Sequence, residues 1–162
     1  MLLKGIVDED FVNYKLPSMF IGCHSCSFKC DQLNGMQVCQ NGTLASSPDI
    51  EISVEDLVKR YTGNRITKAV VFGGLEPFDD IDNVMLFIEF LRNKHNNNDD
   101  VVIYTGYTED EIKTNRQNYY TLLEEYGNII IKFGRFIANQ KKHYDDILGV
   151  YLSSGNQYAK RL

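Results

Sequence analysis

A chain of 162 residues is the length of one domain and can bury an ordinary core without extra staples. Hydrophobic content of 43% beside 24% charged residues is a globular composition, which excludes a disordered tail or a collagen-like repeat. A net charge of -5 with no Lys/Arg run argues against a broad nucleic-acid footprint, and the longest apolar run, near Val84–Leu91, is broken by Glu89 and falls well below the ~20 residues of a membrane span.

The start, MLLKGIVDED, turns acidic too early for a signal peptide, so a cytoplasmic, reducing location is expected. Residues 1–18 carry few periodic signals. Met19-Phe20-Ile21-Gly22 reads as a buried strand that feeds directly into a cysteine loop. All four cysteines of the chain fall within it, as Cys23-x2-Cys26-x3-Cys30-x8-Cys39. In a reducing compartment such density points to a metal or cluster before a disulfide. Spacing alone leaves two readings open. A structural zinc ion takes four thiolate or imidazole ligands, with His24 available as a substitute, whereas an iron–sulfur cluster with one free iron takes three thiolates.

Ser53-Val54-Glu55-Asp56 carries a helix-start pattern, and the helix is expected to run to about Tyr61 with Gly63 as its stop. Lys68–Phe72 is a strand ending at Gly73-Gly74. Asp79 or Asp80 then caps an amphipathic helix over Ile81–Lys94. Val101–Tyr104 is the next strand, ending at Thr105-Gly106. Thr108–Glu111 is a capping box, and the helical stretch it opens closes at Gly127. Ile129–Ile131 and Gly149–Leu152 complete the strands. These apolar strands lack alternation, which predicts a parallel sheet covered on both faces, with ligands at the strands' carboxyl ends. The strand count is too small for an eight-fold barrel, so a single α/β domain over 1–162, built as a partial (βα) barrel of mostly parallel strands, is expected.

The cysteine loop, Gly73-Gly74-Leu75-Glu76-Pro77, Tyr104-Thr105-Gly106-Tyr107, Gly134-Arg135-Phe136 and Ser154-Gly155-Asn156-Gln157 occur in the order found in radical S-adenosylmethionine (SAM) enzymes. The chain resembles the group of these that activates anaerobic ribonucleoside-triphosphate reductases. The resemblance implies a radical SAM fold, and a [4Fe–4S] cluster on Cys26, Cys30 and Cys39, the last placed by the Asn41 that follows it. The third cysteine then stands at 39 where the common spacing has 33 (here Leu33), Val38 replaces an aromatic residue, and Cys23 is without a counterpart. The resemblance further implies SAM as second cofactor, near Gly73, Gly74, Glu76, Thr105, Gly106 and Asn156, with Glu76 suited to the SAM ammonium. It implies reductive cleavage of SAM to a 5′-deoxyadenosyl radical, and no general base is needed for that step. The expected partners are a large glycyl-radical protein, the anaerobic reductase, and a flavodoxin-like or other low-potential electron donor, with no nucleic acid and no membrane. A radical SAM enzyme acting on another peptide or protein, and a non-catalytic zinc-binding interaction module, are the alternatives.

Overall fold

A computed structural model describes all residues, Met1–Leu162. The chain forms nine strands. They are β1 (Leu2–Asp10), β2 (Ser18–Cys23), β3 (Ile50–Glu51), β4 (Ala69–Gly73), β5 (Asp100–Tyr104), β6 (Ile129–Phe133), β7 (His143–Asp145), β8 (Val150–Leu152) and β9 (Tyr158–Arg161). The helices are α1 (Lys29–Asn34), α2 (Gly42–Ser46), α3 (Val54–Gly63), α4 (Ile81–Glu89), α5 (Glu109–Asn115) and α6 (Gln117–Tyr126). One π-type turn, Phe90–Lys94, prolongs α4.

Seven strands form one sheet in the order β3-β1-β2-β4-β5-β6-β9. The four central strands run parallel, as their uniformly apolar sequences predict. β1, β3 and β9 join antiparallel at the two sides. The sheet stays open, since β3 and β9 are its two ends and no pairing closes it into a barrel. Two expectations are corrected. The first 18 residues contain a nine-residue strand, β1. Its buried and exposed residues alternate irregularly, because register shifts interrupt its pairing with β2, and a broken period is hard to see in sequence. The strand expected over Gly149–Leu152 lies outside the main sheet. It pairs only with β7 as a two-stranded hairpin, and the last strand of the sheet is β9.

The expected caps form on α3 and α5 but not on α4, where Asp80 stands at the N-terminus and its side chain accepts from Asn83 rather than from a backbone N–H. The Ser53 hydroxyl accepts the Asp56 N–H at 3.0 Å to cap α3, and the Thr108/Glu111 capping box forms in both directions. The long helical stretch after Thr108 breaks into α5 and α6 at Arg116, where the backbone leaves helical geometry (φ -143°).

The two faces of the sheet differ. Val70, Phe72, Val101, Ile103, Ile129 and Ile131 point toward α3, α4 and α6 and belong to an apolar cluster of 26 buried residues. The alternate residues of the same strands face the other way, into a cluster of only 8, completed by Tyr14, Leu148 and Leu152. The helix-covered face therefore supplies most of the apolar burial. The second face is packed only part-way, and the space it leaves is the cavity described next.

Candidate functional site

β2, β4, β5 and β6 end side by side, so the segments that follow them meet over the second face of the sheet. There they line a cavity of about 450 Å³. Cys26, Cys30 and Cys39 come from the loop after β2, Gly74 and Glu76 from the loop after β4, Thr105 and Gly106 from that after β5, and Gly134 and Arg135 from that after β6. Val150, Tyr151 and Leu152 of the hairpin close one side.

Strand alternation separates Cys23 from the other thiols. Met19, Ile21 and Cys23 share the helix side of β2, while Phe20 lies on the cavity side. Cys23 is 3% exposed among apolar side chains, and that burial pushes its thiol far above the ordinary range. Cys26 lies between core and cavity, and burial lifts its thiol to about 11. A metal or cluster held there would take Cys26 as the thiolate, with loss of that proton. No three acidic, thiol or imidazole groups gather as the ligand set of a single metal ion. A zinc site built on all four thiolates would need Cys23, and that thiol is turned into the core.

The segment around Cys26 is braced by residues that follow β4 and β5. Asp79 accepts the Ser27 N–H at 3.0 Å and the Tyr107 hydroxyl at 2.8 Å, and the Glu76 N–H donates to the Ser25 carbonyl at 2.9 Å. Lys29, Arg116 and Arg135 stand over the Tyr107 ring with their charged groups 4.5, 5.5 and 5.3 Å from its centroid.

Glu76 is the junction of the site. Its Oε1 accepts the Phe78 N–H (3.1 Å) and the Thr105 hydroxyl (2.6 Å), and its Oε2 accepts the Gly106 N–H (2.8 Å). A carboxylate has about four acceptor positions, so one remains on Oε2. Burial raises the Glu76 carboxyl above its ordinary value, and the three donors oppose that rise. Thr105 and Gly106 thus spend their donors on Glu76. Gly74 holds φ +75°, a conformation glycine adopts without strain, and it stands on the cavity wall.

Gly73 and Asn156 do not line the cavity. A Cβ on Gly73 would stand 3.3 Å from both the Phe20 ring and the Tyr104 Cβ, so the missing side chain makes room for those two residues, which do line it. Asn156 instead donates to the Arg135 carbonyl (2.9 Å) and accepts the Ser154 hydroxyl (2.8 Å). Its neighbour Gln157 reaches the cavity wall and donates to the Gly134 carbonyl at 3.1 Å. The Ser-x-Asn-Gln segment therefore clamps the Gly134-Arg135 turn. Arg135 itself is held by a two-point pair with Glu111 at 2.8 and 2.9 Å.

Sequence reasoning passed over Lys132. It lies 7% exposed on the cavity side of β6, and its Nζ donates to the Gly134 carbonyl at 2.8 Å. No ion pair joins it to Glu76 or to any other acid. Burial pushes its ammonium down to about 8. The available signal was the composition of β6, Ile-Ile-Ile-Lys-Phe, in which one lysine interrupts a fully buried strand.

Residues 18–157 match the model of the 4Fe-4S single cluster domain family. The chain belongs to that family. Cys26, Cys30 and Cys39 all line the cavity, and thiolates are the soft ligands that such a cluster takes. The chain is also 30% identical over 98 residues to a protein named probable dual-specificity RNA methyltransferase RlmN from Caldicellulosiruptor saccharolyticus. That match takes in 57% of this chain and 27% of the relative, so the chain spans well under half of the relative's length. No solved structure matches. No helix of this 4Fe-4S single cluster domain is long and apolar enough to cross a membrane.

Proposed function

We propose that this 4Fe-4S single cluster domain is a radical SAM enzyme. Cys26, Cys30 and Cys39 hold three irons of a [4Fe–4S] cluster, and SAM lies in the adjoining cavity. The observation that carries this reading is a pair of buried opposite charges, neither in an ion pair, lining the same cavity as the thiols. Glu76 keeps one acceptor position, and Lys132 has only a carbonyl as partner. An amino acid zwitterion fits such a pair, its ammonium on Glu76 and its carboxylate on Lys132. SAM carries that zwitterion in its methionine part. When bound, the cluster and SAM supply one-electron cleavage of a sulfonium C–S bond, chemistry that no side chain here can perform. The chain's own residues bind the zwitterion, orient it against the thiol loop and keep water out. Phe20, Tyr104 and Phe136 give the wall its apolar part.

The target we propose is a backbone glycine of a large anaerobic ribonucleotide reductase, with electrons from a flavodoxin-like or other low-potential donor. The resemblance of the segments at 104–107, 134–136 and 154–157 to those of the reductase-activating group supports it, and all three lie at or against the cavity. The relative's name offers a second target, RNA, which a net charge of -5 disfavours because phosphate binding rewards positive surface. Anaerobic reconstitution with iron and sulfide should give a brown protein that bleaches on dithionite. With SAM, reductant and a candidate reductase it should give methionine and a glycyl-radical signal in electron paramagnetic resonance. A colourless protein holding stoichiometric zinc would sink the reading.

Lys132 gives a test that needs no cluster. Its folded pKa, about 8, lies below the ~10.4 of an unfolded lysine. Between those values the unfolded chain holds a proton that the folded chain has released, so stability from this group rises with pH across that window. Below about pH 8 the cost of the buried ammonium is fully present. Lys132→Met should therefore raise stability at pH 7 by roughly 1–3 kcal/mol, with the gain fading toward pH 10.5. The Gly134 carbonyl keeps Gln157 as donor, so no orphan is created. The same variant should bind SAM at least about tenfold more weakly, a loss of roughly 1.4 kcal/mol. Thermal melts at pH 7 and 10, with calorimetric titration of SAM, check both halves.

A further inference from the structure

Segment 31–38, between Cys30 and Cys39, is where the cysteine spacing of this chain is longest. Most of it faces solvent, with Leu33 and Met36 59% and 62% exposed. Two side chains turn inward, and each makes several bonds. Asp31 accepts the N–H of Val38 and the N–H of Cys39 on one oxygen, Oδ1, both at 2.8 Å. Two bonds to consecutive amides fix the orientation of the peptide unit that carries the Cys39 side chain. The chain reverses at Gly35 (φ +64°), and the Met36 N–H returns to the Asp31 carbonyl at 3.3 Å, so Asp31 closes the whole excursion.

Asn34 lies one turn further along α1. Its Nδ2 donates to the Cys30 carbonyl at 2.7 Å and to the Phe136 carbonyl at 3.0 Å, while its Oδ1 accepts the Ala138 N–H at 2.9 Å. The amide thus pairs with residues 136 and 138 as a neighbouring strand would, while staying tied to Cys30. The partners are two carbonyls and one N–H, which fixes which end of the amide is nitrogen. Phe136 stands on the cavity wall. One short segment therefore ties the second thiol, the third thiol and the far wall together.

We propose that Asp31 and Asn34 are positioning residues, Asp31 for the thiol of Cys39 and Asn34 for the Phe136 wall. Together they let the long Cys30–Cys39 spacing present a three-thiol face. The proposal rests on the reading of Cys39 as a cluster ligand. Neither residue touches the reacting atoms.

The test compares the full chain with Asp31→Ala, Asp31→Asn, Asn34→Ala and Cys39→Ser after anaerobic reconstitution. Iron release to a chelator and the paramagnetic resonance spectrum of the reduced cluster are the readouts. Asp31→Ala should release iron roughly 10–100-fold faster than the unaltered chain, the usual loss when a residue supporting a metal ligand is removed. Its spectrum should change as well. Asp31→Asn keeps a side-chain oxygen able to accept both amides and should restore slow release. Asn34→Ala should keep its iron while SAM affinity falls about tenfold. Release from Asp31→Ala at the unaltered rate, or Asp31→Asn no slower than Asp31→Ala, would overturn the proposal. If Asp31→Ala takes up no iron, comparison of Asp31→Asn with the unaltered chain decides instead, slow release supporting the proposal and fast release overturning it. Full iron retention in Cys39→Ser would instead strike the ligand assignment on which the proposal rests.

Discussion

A Cys39→Ser chain should fail to retain a [4Fe–4S] cluster, with Cys26→Ser and Cys30→Ser behaving alike, while Cys23→Ala keeps the full iron content. Serine preserves shape but offers a hard oxygen where the cluster needs a soft thiolate. Loss of a ligand should exceed the roughly 10–100-fold effect of losing a residue behind one. Cys23 is different because it packs on the helix side of β2 among apolar side chains and lines no part of the cavity. Its removal leaves a small void, for about 1 kcal/mol, or roughly 2–4 °C in melting temperature for a chain of this size. Iron analysis, the visible spectrum and a thermal melt separate the two classes. A cluster that survives Cys39→Ser and is lost in Cys23→Ala would reverse the assignment.

Glu76→Ala should fail in two ways at once. The carboxylate joins the ends of β4 and β5 by accepting the Thr105 hydroxyl and the Gly106 N–H, and it caps the turn at Phe78. Each donor left without a partner costs about 1–3 kcal/mol. A net loss near 3 kcal/mol corresponds to a melting temperature lower by roughly 6–12 °C. SAM affinity should also fall at least about tenfold, since the remaining acceptor position of Oε2 is gone. Glu76→Gln distinguishes the two roles. Its Oε1 can still serve Phe78 and Thr105, but an NH2 group then faces the Gly106 N–H, donor against donor. Part of the stability should return and the SAM affinity should not. Calorimetric titration that gives Glu76→Ala the affinity of the unaltered chain would remove Glu76 from the binding site.

The legible part of the fold was the part with a strong local signal. β2, β4, β5 and β6 are continuous apolar runs bounded by glycine or polar residues, and α3 and α5 carry their own caps, Ser53 and Thr108. β1 and β9 were hidden because the antiparallel strands at the sides of the sheet mix exposed polar with buried apolar residues, and β1 pairs over an irregular register. In the candidate site, Cys26, Cys30, Cys39, Gly74, Glu76, Thr105 and Gly106 line one cavity, as the parallel order of their strands brings about. Gly73 and Asn156 were read as ligand contacts because neighbours in sequence share a motif. In space the strand end sets Gly73 beneath Phe20 and Tyr104, and Asn156 turns to hold Arg135.

By itself the sequence determined that thiols suited to a metal or cluster gather in the segment after β2, at the carboxyl edge of a parallel sheet. Thiol density, strand-end glycines and parallel-strand composition are local properties, and local properties survive without coordinates. Only the tertiary structure decided which thiols face the cavity, that Lys132 is a buried cation lining the same cavity as Glu76, and that Asp31 and Asn34 bind the long cysteine loop together. Each of those depends on which face of a strand a side chain occupies, or on a bond between residues far apart in the chain. Neither is written in residue spacing.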